Sequence, residues 1–272
     1  MSLEAFIKQA EEPAFRDMLW SKPETKRGSG KLLVIGGNTH AIGGPLKAYD
    51  YASKAGIGAT RIILPDALRG VTGSSDLQIE FSPRTPSGSF ARKALADWVE
   101  CSSWSDTVLL AGDFGRNSET AVLLESFVAQ AEKSVIITKD GIDYIAAAPP
   151  DRQSDQLHVL VMNLAQLQKL ARSVMPDQAI TFSMGLQQLA QSLADISKQL
   201  HMCCITQHYE QILCALDGQV SITKMNPSDK IWQLKTASYV AVWLAQQNHK
   251  PFEAITTAIW CSANSQKPIA DS

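Results

Sequence analysis

The sequence predicts an α/β fold of three layers, in which helices cover both faces of a mostly parallel sheet that carries an antiparallel hairpin at an edge. Three observations predict it. Short apolar, β-branched runs alternate with helical stretches along most of the 272 residues. Glycine-rich loops separate strand from helix after Ile35 and again after Ala111. Asp217-Gly218 joins two strand-like runs, and an Asp-Gly pair supplies the positive φ angles of a tight primed turn.

Each element has its own signal. Residues up to about Lys26 read as an amphipathic helix, and the polar stretch SKPETKRGSG as a loop feeding the first strand. Lys31 to Ile35 is a strand halted by Gly36-Gly37, and Pro45 to Ala55 is a helix with proline in its first turn. Thr60 to Leu64 closes a β-α-β unit, which the crossover rule makes right-handed and parallel. Strands recur at Leu77 to Phe81, Thr107 to Ala111, Ser134 to Thr138, His158 to Met162 and Met202 to Thr206. Between them, Phe90 to Cys101, Ser118 to Glu132, Leu164 to Arg172 and Leu186 to Leu200 have helical composition or period. Ile212 to Leu216 and Gln219 to Thr223 are the hairpin strands, and helices at Ile231 to Gln247 and Pro251 to about Asn264 close the fold. The expected organisation is a single domain over 1–272, with a helix and lead-in loop over 1–27, a core over 28–265 and a tail over 266–272.

Composition narrows the function classes. A formal net charge of -2, with both signs mixed along the chain, gives no polybasic footprint for nucleic acid. No apolar run is long enough to span a membrane, and the acidic opening residues do not read as a secretory signal, so the expected compartment is the cytoplasm. The 5 cysteines lack C-x-x-C spacing, and those in MCCIT and ILCAL read as reduced core thiols. The 5 histidines show no metal-ligand spacing, so no metal site is expected.

Two loops are candidates for ligand binding, because backbone without side chains approaches a ligand closely at the carboxyl ends of parallel strands. The first supplies Gly36, Gly37, Asn38, His40, Gly43, Gly44 and Pro45. It is neither the dinucleotide pattern GxGxxG nor a P-loop, since no Lys-Ser or Lys-Thr follows. The second supplies Gly112, Asp113 and Gly115 ahead of a helix capped near Asn117. Asp113 is placed to meet a metal or a hydroxyl, or to cap local backbone.

The run KLLVIGGNTHAIGGPLKAYDYASKAGIGATRIILP resembles the opening of the NAD(P)H-hydrate dehydratases: a strand, GGS, TGAP, a small-residue helix, RAGAG and another strand. LLAGDFGRNSET is similar to that family's GPGLGR segment, and VIITKDGIDYI to its strand ending in DADAL. The likeness is detailed over about Gly28 to Asp143 and fainter beyond, where WLAQQNHKPFEAITTAIW resembles LLAQGLSPFEAAALAVY. It implies a ribokinase-like fold, homo-oligomers, and use of ADP or ATP with Mg to dehydrate hydrated NADH or NADPH, a carbon–oxygen lyase reaction. It also implies ligand contacts at Asp140, at Asn163, where the family's HPGE begins, and at Gln207-His208, in place of its lysine-glycine pair.

The departures fall on the catalytic parts. The family's GTGD loop holds the moving phosphoryl group on backbone amides, and its aspartate takes the hydroxyl proton. Anchored on Trp243 to Gln246 and Pro251 to Ala254, that loop falls on Ile231-Trp232-Gln233-Leu234, with Leu234 at the aspartate. No shift of register restores it, because no glycine follows Gly218. Asp229 is the nearest replacement base. Losing a general base costs roughly 10²- to 10⁴-fold and one oxyanion-type donor roughly 10²- to 10³-fold. Three readings follow: a nucleotide- or NAD(P)-binding homologue with little or no catalysis, an active ADP- or ATP-dependent dehydratase, or a structural or regulatory oligomer subunit.

Overall fold

The computed structural model describes residues 6–70, 77–146, 149, 156–225 and 232–265. Ten strands form one sheet: β1 Ile7–Gln9, β2 Lys31–Gly36, β3 Ala59–Pro65, β4 Gln78–Ser82, β5 Thr107–Gly112, β6 Ser134–Thr138, β7 Val159–Met162, β8 Cys203–His208, β9 Gln211–Leu216 and β10 Gln219–Lys224. Their order is β1-β10-β9-β8-β7-β6-β5-β2-β3-β4, and among them β9 alone runs against its neighbours. The helices are α1 Arg16–Trp20, α2 Gly43–Ala55, α3 Leu95–Trp104, α4 Ser118–Gln130, α5 Asp140–Ile145, α6 Leu164–Val174, α7 Leu186–Leu200, α8 Trp232–Gln246 and α9 Pro251–Asn264.

Helices α2, α8 and α9 cover one face of the sheet and α3 to α7 the other. Every residue of β5 is therefore buried, as expected of a parallel strand covered on both sides. Helix α8 lies across β2, β5, β6 and β7 and is buried almost all round, which is why its sequence carries only a weak amphipathic stripe. The chain lays down β2, β3 and β4 in one direction, then returns to place β5 on the other side of β2. That reversal, at the carboxyl ends of β2 and β5, is a topological switch point, the kind of place where open α/β sheets bind ligands in a crevice.

The opening segment differs from its predicted helix. Residues 7–9 form β1, which extends the sheet in parallel beside β10, and only the five residues of α1 are helical. The physical reason is sheet pairing: Phe6 is buried, and Gln9 donates to Thr223 Oγ1 and to Thr256 O, both at 2.7 Å. The predicted hairpin forms, with φ of 50° at Asp217 and 84° at Gly218. A second hairpin turn at Tyr209 and Glu210 joins β8 to β9; it carries no glycine, and Tyr209 itself takes φ of 49°. Helix α5 also escaped the periodicity, being only six residues long.

Cys203, Cys204 and Cys214 are buried and free, and burial pushes the thiols of Cys203 and Cys204 well up, so thiolate chemistry is disfavoured there. His158 is fully buried at the foot of β7; its Nδ1 accepts the Val135 N–H at 3.2 Å and its Nε2 meets Val128 O at 3.2 Å.

Candidate functional site at the strand reversal

The two glycine loops meet at the reversal. Gly37 N–H donates to Gly112 O at 3.0 Å, and a Cβ on Gly36 would lie 2.5 Å from that same oxygen, so β2 ends where only glycine fits. Asn38 fastens the first loop: its Nδ2 donates to Asp113 O at 2.6 Å while its Oδ1 accepts the His40 N–H at 2.8 Å. The His40 side chain is left exposed at the rim. Thr39 N–H donates to Gly88 O at 3.0 Å, which draws the loop after β4 to the same place.

Charge gathers on the β5 and β6 side. Asp113 follows Gly112 with φ of 62°, a left-handed conformation that aims its carboxylate at the start of α2. One oxygen accepts the Gly44 N–H at 2.6 Å and the other pairs with the Lys139 ammonium. Gly43, Gly44 and Pro45 thus form the first turn of α2, with an internal carboxylate at its amide end. Lys139 holds φ of 54° and ψ of −136°, a conformation costly for any residue with a Cβ.

Beside it, Asp140 Oδ2 accepts the Gly115 N–H at 3.2 Å, and Oδ1 is buried with no hydrogen-bond partner among the described residues. Burial raises the Asp140 carboxyl above its ordinary value, against the pull of the Gly115 amide. Tyr144 donates its hydroxyl to Gly115 O and accepts the Asn117 N–H at 3.3 Å; burial raises the phenol too. The strand reversal therefore holds one cation neutralised by Asp113 and one buried carboxyl group, that of Asp140.

No protein-family description matches the chain. Among curated proteins, it is 29% identical over 128 residues to a bifunctional NAD(P)H-hydrate repair enzyme of Thermofilum pendens, covering 46% of this chain and 24% of that one. It is 24% identical over 209 residues to an ATP-dependent (S)-NAD(P)H-hydrate dehydratase of Caenorhabditis elegans, covering 73% of this chain and 64% of that one. The matches thus span about a quarter and just under two thirds of these relatives' own lengths. Among solved structures, a ribokinase-like superfamily protein of Enterococcus faecalis superposes with a TM-score of 0.73 at 15% identity, covering 97% of this chain and 88% of that one. The chain has the ribokinase-like fold. An ADP/ATP-dependent NAD(P)H-hydrate dehydratase of Bacillus subtilis, co-crystallised with ATP and Mg²⁺, shares that fold with a TM-score of 0.64 at 12% identity, covering 92% of this chain and 86% of that one.

Within this ribokinase-like fold the remaining sequence candidates lie along the sheet, away from the reversal. Asn163 caps α6: its Oδ1 accepts the Gln166 N–H at 2.9 Å and Gln166 Oε1 accepts the Asn163 N–H at 3.1 Å, a capping box. Gln207 and His208 end β8, with β7 and β6 between them and β5. Gln207 Nε2 donates to Tyr209 O at 2.8 Å, and the ring of Tyr209 meets that of buried His208 edge to face, the His208 imidazole being held below its usual value by burial. Leu234 points into the core under α8, 3% exposed. Asp229 lies outside the described residues.

Among the described residues, those at the strand ends do not fit a magnesium-bound polyphosphate. Asp113 is committed to Gly44 and Lys139, Thr138 offers a neutral hydroxyl at the end of β6, and two glutamine side chains bridge the ends of β6 and β7. Among the described residues no three His, Cys, Asp or Glu side chains gather as a metal would require. The sequence reading missed Lys139 as a site residue, because a lysine directly after a strand carries no pattern, and it placed Gln233 only within the stretch that falls on the family's loop, since its bonds to Val161 O and Gln166 are visible only in three dimensions.

Proposed function

We propose that this chain is a nucleotide- or NAD(P)-binding homologue of the NAD(P)H-hydrate dehydratases with little or no catalysis. The observation that carries the reading is the first turn of α8, where Trp232, Gln233 and Leu234 replace a side-chain-free cradle and the Leu234 side chain is buried in apolar surroundings. Leucine accepts no proton, and phosphoryl transfer depends on positioning and charge stabilisation that this turn does not provide. The glycine loops meet at the strand reversal, the position in such sheets at which ligands are taken. The ligand-contact residues in this reading are those of the two loops, with Asp140 beside them.

Thermal unfolding in the presence of ADP, ATP, NAD and NADPH tests the binding half of the proposal. A ligand present at about a hundred times its dissociation constant stabilises the fold by roughly 2.7 kcal/mol, a readily measured shift. A shift with at least one of the four is expected. No shift with any of them overturns the reading and leaves the chain a structural or regulatory oligomer subunit.

The second reading, an active ADP- or ATP-dependent dehydratase, is favoured by Asp140, a carboxyl group raised above its ordinary value by burial next to the glycine loop of Gly112 and Gly115. Recovery of NADH from its hydrate separates the two.

A further inference from the structure

At the other edge of the sheet, a partly open cavity of about 310 Å³ lies at the carboxyl ends of β10 and β1. Strand register explains its floor. Ile222 on β10 pairs with Lys8 on β1 and with Leu213 on β9, and Lys224, two residues on, pairs with Gln211. Side chains two apart on a strand share a face, so Lys8, Ile222, Lys224 and Gln211 all project to the side on which Ile222 and Leu213 are buried. That is the side covered by α7, which packs chiefly over β8 and β9. Leu186, in the first turn of α7 and packed against the same apolar cluster, borders the cavity. Its volume falls at the small end of the roughly 300–1,000 Å³ of small-molecule clefts.

Both lysines are exposed, and among the described residues neither ammonium group has an ion-pair partner. No carboxylate is among the residues that line the cavity. Diagonal neighbours in a sheet lie roughly 7–8 Å apart, within reach of long side chains, so two cations share one opening with no acid to balance them. Beneath them, the lysine stems, Ile222 and Leu186 offer apolar surface. We infer that this cavity is a second ligand site, for a small molecule with an apolar body and one anionic head. The body lies against Ile222 and Leu186, the two ammonium groups meet the head, and the Gln211 amide adds a neutral donor beside it. An inorganic anion alone would meet only exposed lysines, whose pairs are worth little; burial of the apolar body supplies the rest of the affinity. Four strands separate β10 from β5, which places the site roughly 24 Å from the strand reversal and makes it independent of the binding reading above.

The experiment titrates octanoate, octanol and inorganic phosphate separately into the full chain, and into the double variant Lys8→Met with Lys224→Met, followed by calorimetry and backbone amide resonances. Methionine keeps an unbranched apolar stem and removes the charge. Octanoate is expected to bind the wild type, to move the resonances of Leu186 and Ile222 and to leave those of Gly37 and Gly112 in place. Its affinity should fall about tenfold in the double variant, and octanol and phosphate should each bind the wild type about tenfold more weakly than octanoate. Absence of octanoate binding to the wild type overturns the inference. So does equal binding of octanol, which marks a bare apolar groove, equal binding of phosphate, which marks a bare cationic surface, or unchanged octanoate binding by the double variant. If the double variant does not fold, the wild-type resonances decide: movement elsewhere and not at Leu186 and Ile222 overturns the inference. Nucleotide binding and octanoate binding fail separately, because each is read with its own ligand.

Discussion

Asp113 accepts the Gly44 N–H at 2.6 Å with one carboxylate oxygen, so an aspartate from the β5 loop caps a helix that begins after β2. Its other oxygen holds Lys139, whose backbone is strained. Asp113→Ala should therefore destabilise the protein by about 1–2 kcal/mol through the lost cap. At Lys139 the two truncations should differ. Lys139→Ala and Lys139→Gly both lose the ion pair, but glycine also relieves the positive φ, so Lys139→Gly should be the more stable by about 1 kcal/mol. Urea unfolding of the three variants checks this, and equal stabilities for the two Lys139 variants would show that the strain carries no energy.

Asp140 predicts a pH dependence. Burial raises its folded-state carboxyl above the ordinary 3.8, so between that value and the raised one the folded protein binds more protons than the unfolded chain. Stability contributed by this group is present below the ordinary value and is lost as pH rises through the folded value. Asp140→Asn removes that loss. The stability of the variant relative to wild type should rise from acid pH towards neutrality, measured by unfolding at several pH values. A difference independent of pH would contradict the burial argument.

His158 is a structural residue. Both ring nitrogens are used inside the core, by Val135 N–H and Val128 O. His158→Ala leaves a buried donor and a buried acceptor unpaired and should cost about 2–4 kcal/mol. A loss under about 1 kcal/mol would contradict this placement.

Gly218→Ala should cost about 1 kcal/mol through its φ of 84°, whereas Asp217→Asn, which tolerates the left-handed conformation equally well, should be close to neutral. Thermal unfolding of both variants checks the pair.

The sheet and its helices were legible because burial imposes period. The KLLVI, TRIIL and TVLLA runs have one stable use in a covered parallel sheet, and Asp217-Gly218 has one stable use between two strands. The opening segment was not legible in the same way. Three residues of β1 are too few to show alternation, and their partner, β10, lies more than two hundred residues away in the chain. At the site, glycine loops could be read directly, since each marks a place where backbone must come close. The roles of polar side chains could not. Asp113 is spent on Gly44 and Gln166 on Lys139 O, partners fixed by the packing of strands and not by spacing in the chain, whereas the Asn163–Gln166 capping box follows from its spacing of three. The resemblance sets Leu234 where the family has its aspartate, and the fold buries that side chain in the apolar layer between α8 and the sheet.

The most direct measurement incubates the purified protein with hydrated NADH and either ADP or ATP and follows the absorbance of NADH. On the proposed reading both the base and the amide cradle are lost, each alone costing roughly 10²-fold or more, which predicts a rate indistinguishable from a control without protein. Recovery of NADH well above that control, with either nucleotide, would contradict the account.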